Sequence, residues 1–252
     1  MKVQAIKTRK MLPPKDDLWD LLTAIKNLSE NSVIAVTSKI VSIGEGRCVN
    51  ISSSTKDEIA IQEADKFLPR ELSPKGLILT TIKNNMLVAS SGVDESNSGN
   101  FYTLWPKNPN LSAKNIWKFL KKKFRVKKLG VIITDSRLVP LRRGVVGIAI
   151  SFYGFKPIKD YRNTKDLFGR EFKMETSNFP DSLATVAVLE MGEGAESQPI
   201  AIISEVPEIE FIEKDFKPKT FDESFEISID DDMFEPFLTA VKWKKGGSGK
   251  NQ

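Results

Sequence analysis

Three short acidic loops carry the side chains best suited to chemistry: GVDESN at 92–97, ITDS at 133–136 and MGEG at 191–194. Asp94 and Asp135 stand just beyond apolar runs that read as strands, and Glu193 sits between two glycines after a run that reads as a helix. Oxygen ligands from separate loops can converge on one divalent ion, which in turn can bridge nucleotide phosphates. Gly192 and Gly194 free the backbone to approach a ligand, and N–H groups there can cradle phosphate. Cations stand in comparable places. Ser38 and Lys39 end the run SVIAVTSK, Arg47 follows in GEGR, and Arg142 and Arg143 precede Gly144. Lysine and arginine suit phosphate or carboxylate, and Arg142 could clamp a substrate carboxylate bidentately. Each feature taken alone also has a plainer reading. An Asp after a strand is a common turn former or N-cap, MGEG can cap a helix C-terminus, and the cations can be ordinary surface charge.

Composition narrows the chemistry further. The chain has no histidine, which removes Ser-His-Asp and Cys-His hydrolases, histidine-ligated zinc and the commonest general base. Carboxylates, lysines, hydroxyls and backbone amides remain, and an all-oxygen ligand set selects hard ions, Mg²⁺ or Mn²⁺. There is no P-loop: G-x-x-x-x-G-K-[ST] does not occur, and GGSGK at 246–250 has the wrong spacing. Cys48 is the single cysteine, so no intrachain disulfide forms and a reducing compartment fits best. MKVQAIKTRKMLPP lacks a signal-peptide core, and no long uncharged apolar run occurs, so the expectation is a cytoplasmic protein without membrane contact.

The elements that must position these residues alternate along the first half. KDDLWDLLTAIKNL reads as a helix with Leu18, Leu21, Leu22 and Ile25 on one face. SVIAVTSKIVSI reads as a buried strand entering a loop at Gly44–Gly46, and 56–67 as a helix. GLILTTIKNNMLVASSGV suggests a hairpin turning at Asn84-Asn85 and delivering the polar loop from Asp94 to Asn100. SAKNIWKFLKKKF reads as a helix capped by Ser112, with its lysines outward. That basic run, Lys118 to Lys128 in a chain of net charge +5, reads as a solvated face in preference to a nucleic-acid contact. LGVIITD is a strand ending on Asp135, GVVGIAISFYGF a second, FPDSLATVAVLEMGEG a helix entering a Gly-rich loop, and PIAIISEV a further buried strand. The fold class expected is α/β in the mixed α+β sense: one unit over 1–207, with room for a subdomain at 145–190. An acidic, flexible extension over 208–252 would follow, its last seven residues disordered.

TSKIVSIGEGR, SSGVDESN, the helix SAKNIWKFL, GVIITDS with RRGVVGIAI, DY…KDLFGRE, and MGEG before PIAII occur in this order. Together, over about residues 1–205, they resemble the coenzyme F-420-0:L-glutamate ligase family. The resemblance implies a mixed α/β fold without Rossmann topology and a homodimer with its nucleotide site near the subunit interface. It also implies GTP as energy source with Mg²⁺ or Mn²⁺. By the same resemblance, Asp94, Asp135, Ser136 and Glu193 are metal positions. Arg9, Lys10, Ser38, Lys39, Asn97 and the loop Met191–Gln198 (Met191, Gly192, Glu193, Gly194 and Gln198 in particular) are GTP-contacting positions.

In the implied reaction GTP phosphorylates an acceptor carboxylate to an acyl phosphate, and the amine of L-glutamate attacks its carbonyl carbon, releasing phosphate. Such chemistry needs positioning and charge neutralisation and no histidine. Two departures stand out. Ile43 replaces a second basic residue in S-K-x-x-S-K-x-E-G-R, and Ser136-Arg137-Leu138-Val139 replaces the end of T-D-T-x-G-R. The loss of the Gly-Arg pair tilts the expected acceptor slightly from the deazaflavin coenzyme F-420 towards a folate-like one. A catalytically silent nucleotide-binding or scaffold protein descended from the ligases is the alternative reading.

Overall fold

The computed structural model describes residues 1–217 and 224–249. In chain order the elements are β1 (Lys2–Ile6), α1 (Leu18–Leu21), β2 (Ser32–Thr37), α2 (Ser38–Glu45), β3 (Cys48–Asn50), α3 (Lys56–Glu63) and β4 (Lys66–Phe67). There follow β5 (Thr80–Lys83), β6 (Met86–Ala89), β7 (Phe101–Thr103), α4 (Pro109–Phe124), β8 (Leu129–Leu138) and β9 (Val145–Tyr153). Last come β10 (Ile158–Asp160), β11 (Thr176–Asn178), α5 (Phe179–Met191), β12 (Ile200–Ser204), α6 (Glu235–Thr239) and β13 (Lys244–Lys245).

The central sheet has the order β1-β12-β2-β8-β9. Only β2 and β8 pair in parallel, so the fold is mixed and lacks the doubly wound parallel order of a Rossmann sheet. Alternation along the strands splits the core between two faces, as a pleat requires. Ile34, Val36, Val131, Ile133, Ile148, Ile150 and Ile200 pack with α1, α2 and α4 on one side. Val33, Ala35, Ile132, Ala149, Ala201 and Ile203 pack with Leu183, Ala184, Ala187 and Val188 of α5 on the other. A smaller sheet, β13-β4-β5-β6, shares a satellite core with α3 through Ile59, Ala60, Leu79, Val93 and Leu104.

Several local expectations shift for identifiable reasons. The run expected as a helix over 15–28 forms only α1 and a following 3₁₀ turn, because Ile25 turns extended once Leu18, Leu21, Leu22 and Ile25 are all buried. The strand SVIAVTSKIVSI stops at Thr37 and Ser38–Glu45 is helical, with Gly46 as its left-handed cap. Ser38 and Lys39 are thus the first turn of a helix. The hairpin turn falls at Asn84-Asn85, both with positive φ, as a type I′ turn needs. α4 starts earlier than expected: Asn108 caps it, accepting from Leu111 N (3.0 Å), with Pro109 at the first helical position. β8 runs three residues beyond Asp135, continuing in pairing with β9.

The C-terminal extension is tied to the body at several points. Lys156 N–H donates to Glu210 O (2.9 Å) and Ile212 N–H to Gly154 O (2.8 Å). Asp215 pairs with Lys114 (2.7 Å) and accepts from the Tyr153 hydroxyl (2.7 Å). Of the last seven residues, expected to be disordered, Gly246–Gly249 donate hydrogen bonds to the carbonyls of Asp65, Ile61, Ala64 and Gln62 at the end of α3. These contacts satisfy acceptors that the helix terminus leaves open. Residues 250–252 lie outside the described residues. No helix among the described residues is long and apolar enough to cross a membrane.

Candidate active site

Parallel pairing of β2 and β8 ends at Thr37 and Thr134, so Ser38 and Lys39 of α2 and Asp135 and Ser136 of β8 follow at the same sheet edge. β1 and β12 are antiparallel to each other and pair Ile6 with Ile200 at this edge. The segments after β1 and before β12 therefore arrive there too. Thr8 N–H donates to Ser197 O (2.9 Å) and Thr37 N–H to Pro199 O (3.0 Å), which fixes these segments to one another. A crevice beyond the carboxyl ends of parallel strands is where α/β sheets commonly bind ligands.

A cavity of about 590 Å³ opens at this edge. Its lining includes Arg9, Lys10, Ser38, Lys39, Asp94, Asn97, Asp135, Ser136, Met191, Gly192, Glu193, Gly194 and Gln198. Thirteen of the positions singled out from the sequence are thus brought together. Arg47, Arg142 and Arg143 are the exceptions. Arg47 turns inward to the buried Glu63 (2.7 Å), and Arg143 lies with Arg142 on the exposed turn between β8 and β9. Arg142 donates to its neighbour Leu141 O (3.1 Å) and is not part of the cavity wall. A clamp on substrate by Arg142 has no support from this geometry, because the hairpin carries it past the sheet edge.

The polar groups on the cavity wall are linked across loops. Lys39 pairs with Asp94 (2.7 Å) and donates to Ser96 Oγ (2.9 Å). Asp94 also accepts from Ser96 N (3.0 Å) and Ser96 Oγ (2.8 Å). Burial works to raise the Asp94 carboxyl, but the charge of Lys39 and these hydrogen bonds hold it below its ordinary value. Asn97, with φ 53°, donates to Gly194 O (2.9 Å) and so joins the first acidic loop to the third. Gly194 N donates to Glu196 (2.8 Å), and Gly192 adopts a φ of +81°, which side-chain-bearing residues rarely take, so the tight turn depends on glycine. Arg9 is held by Asp16 (2.8 Å) and Asp20 (2.9 Å), as Lys39 is by Asp94 and Ser96.

Asp135 sits beside a register shift in β8 between Ile133 and Thr134, an irregularity of the kind that re-aims a side chain. It accepts from Ser136 N (2.8 Å) and from the indole N–H of Trp105. Ser136 Oγ donates to Glu193 (2.7 Å), joining the second acidic loop to the third. Burial pushes the Asp135 carboxyl up to about 6, the indole and backbone donors oppose that rise, and the neighbouring Asp94 charge adds to it. Trp105, Ser96 and Gly92 were not legible as site residues. A Cβ on Gly92 would fall 2.0 Å from Trp105 Nε1, so this glycine, with φ +71°, makes room for the indole.

The fit to a divalent cation rests on these oxygens. Among the described residues no group of three or more His, Cys, Asp or Glu stands close enough to hold a metal ion by itself. Asp94 and Asp135 are nevertheless near enough to repel, and an Asp raised to about 6 by burial and a like charge is relieved by a cation between them. All donors are oxygen, which suits a hard ion completing its shell with substrate and water.

Comparison with known proteins decides the family. The sequence profile of the F420-0:gamma-glutamyl ligase family matches residues 6–205, which contain every one of these cavity residues. The chain belongs to that family. Among its relatives is a coenzyme F420:L-glutamate ligase of Methanopyrus kandleri, 32% identical over 232 residues, 84% of this chain and 90% of the relative. The coenzyme F420:L-glutamate ligase of Methanosarcina mazei is 33% identical over 220 residues, 81% and 86% of the two chains. That of Methanocaldococcus jannaschii is 44% identical over 129 residues, 51% of each. The profile stops after β12, so the segment that straps β9 and the Gly246–Gly249 turn lie outside the part of the chain that the family defines.

Proposed function

We propose that this chain is a GTP-dependent ligase that joins L-glutamate through an amide bond to the deazaflavin coenzyme F420, by way of an acyl phosphate. The observation that carries the reading is the meeting, in one cavity, of a helix N-terminus, a lysine and a carboxylate pair. α2 begins at Ser38 with no side-chain cap, so its first N–H groups are open to an anion. Lys39 lies in that first turn, and the Gly192–Gln198 loop forms the facing wall. Phosphate on α2 would draw Lys39 towards itself and away from Asp94, freeing that carboxylate. Asp94 and Asp135, with Ser136 and Glu193 beside them, would hold Mg²⁺ or Mn²⁺. The ion supplies Lewis acidity and charge neutralisation at the transferring phosphoryl group.

The acceptor is a deazaflavin coenzyme because the similar proteins named above are coenzyme F420:L-glutamate ligases. The folate-like acceptor that the substitutions at 137–139 suggested gains no support from them. Arg137 and Leu138 lie on the outer part of β8 and Val139 just after it, with Leu138 47% exposed, past Ser136 on the cavity wall. Their change therefore has little means of redirecting the acceptor. A catalytically silent scaffold is disfavoured by the raised Asp135 and the open α2 terminus.

The test is product mass after incubation with GTP, Mg²⁺ or Mn²⁺, L-glutamate and the glutamate-free coenzyme, with ATP and a folate as parallel substrates. Addition of glutamyl units to the coenzyme with GTP is expected. Asp135→Asn should lower the rate about a thousandfold, since loss of one carboxylate from such a site removes several kcal/mol of transition-state stabilisation. Near-normal turnover by that variant would sink the assignment.

A further inference from the structure

Behind the wall that carries Asp135 lies a buried charge cluster that the proposed reaction does not use. Glu63, at the end of α3, is 2% exposed and accepts from Arg47 Nη2 (2.7 Å) and from Lys83. Lys83 is 7% exposed. Burying charges this deeply is costly unless every group is held in place. Trp105 completes the arrangement. Arg47 Nε donates to its carbonyl (3.2 Å), and the Lys83 ammonium lies 5.6 Å from its ring centroid, within cation–π range. The far side of the cluster is closed by the Gly246–Gly249 turn, where a Cβ on Gly249 would sit 3.5 Å from the Glu63 carboxylate.

The indole is therefore fixed from three directions. Arg47 holds its backbone, Lys83 lies over its ring, and Gly92 leaves just enough space at its Nε1 edge. It is 1% exposed, and its single donor is spent on Asp135 Oδ2. Ser136 N occupies Oδ1 (2.8 Å), so the two donors together set the carboxylate rotamer and leave its remaining lone pairs for a ligand.

We infer that Trp105 is a positioning residue: anchored by the Arg47–Glu63–Lys83 cluster, it holds the Asp135 carboxylate in the orientation that receives a divalent cation. The inference rests on the reading of Asp135 as a carboxylate of the ligase site. Partners that orient a metal-binding carboxylate typically change affinity or rate by about ten- to a hundredfold when removed.

The test uses the full ¹⁵N-labelled chain, whose four tryptophans give four indole N–H signals. The Trp105 signal is the one absent from Trp105→Phe. It should move on addition of Mg²⁺ and in Asp135→Asn, while those of Trp19, Trp117 and Trp243 hold their places. Trp105→Phe should bind Mn²⁺ about ten- to a hundredfold more weakly, measured by electron paramagnetic resonance without nucleotide, and lose kcat by a similar factor. Its KM for GTP should stay within about twofold of wild type. A Trp105 signal indifferent to both Mg²⁺ and Asp135→Asn overturns the inference, as does wild-type Mn²⁺ affinity in Trp105→Phe. If Trp105→Phe fails to fold, selective labelling at position 105 identifies the signal, and the wild-type and Asp135→Asn spectra decide alone. The two readings fail separately. Full activity in Asp135→Asn removes the ligase site itself, whereas an inactive Asp135→Asn beside an unimpaired Trp105→Phe removes only the role of Trp105.

Discussion

Neutralising Asp135 should abolish ligation yet relieve the metal-free fold at neutral pH. Burial beside Asp94 raises this carboxyl from 3.8 to about 6, a difference equivalent to about 3 kcal/mol. The folded state binds the proton more tightly than the unfolded chain. The contribution is therefore fully present below pH 3.8 and is lost as pH rises through 6. Asparagine removes the charge but offers one acceptor where two donors, Trp105 Nε1 and Ser136 N, now find two. The donor left unpaired costs about 1–3 kcal/mol at any pH. At pH 4 Asp135→Asn should thus be less stable than wild type by that amount, and at pH 7 equal or more stable. The gap between the proteins moves by about 2.4 kcal/mol across this range, because at pH 4 the unfolded carboxyl is already partly ionised. Urea unfolding with metal chelated, at several pH values from 4 to 7, measures it, and titrations of other groups cancel in the difference. Adding Mg²⁺ at pH 7 to a hundredfold excess over its Kd should then stabilise wild type by about 2.7 kcal/mol and leave the variant unmoved. A wild-type-minus-variant difference constant to about 0.5 kcal/mol from pH 4 to 7 would refute the reasoning, because Asp135 would then carry no excess proton affinity in the fold.

Three other outcomes follow from the same geometry. Gly92→Ala places a Cβ 2.0 Å from Trp105 Nε1 at a φ of +71°; it should cost at least about 2 kcal/mol in a chemical melt, and a neutral result would show that the indole is free to move. Replacing Lys121, Lys122 and Lys123 together by Gln should leave ligation within about twofold, since Lys121 lies over the Trp117 ring (4.4 Å) and pairs only loosely with Glu213 (3.6 Å). Any nucleic-acid affinity should be weak and fall steeply with salt, and sequence-specific binding at physiological salt would contradict this. The outer hairpin exposes Leu138, Leu141, Val145 and Val146, an apolar edge that the homodimer implied by the family resemblance would bury; sedimentation should show a dimer that Leu138→Asp with Val146→Asp dissociates, and a wild-type monomer at micromolar concentration would remove this expectation.

The fold was legible where a pattern has one physical cause. Continuous apolar runs marked β2, β8, β9 and β12, because a strand buried on both faces needs Val, Ile and Ala at successive positions. Asn84-Asn85 marked its hairpin because both residues tolerate positive φ. The boundary at Thr37 was illegible, since SKIVSI carries β-branched residues that suit a strand locally. Its helical form is decided by burial of Ile40, Val41 and Ile43 against the sheet. The Gly246–Gly249 turn was misread for a related reason. A run of glycine and serine has no propensity of its own, and what orders it is a set of unsatisfied carbonyls on α3, almost two hundred residues earlier.

The site separates along the same line. Asp94, Asp135 and Glu193 were legible as cavity-lining candidates because a charged residue that follows an apolar run or sits within a glycine turn is already half placed by its local element. Trp105 was not, because nothing in TLWPKNP distinguishes an indole that donates to a carboxylate from one that merely fills a core. Its role is set by contacts that are all distant in sequence: Arg47 and Lys83 on one side, Gly92 at its edge, Asp135 at its donor. The same logic explains Arg142. Its neighbours in sequence suggested a substrate clamp, yet β8 continues past Asp135 and carries the arginine out to the exposed turn. The arginine there is exposed, donates to its neighbour Leu141 O and stands outside the cavity wall.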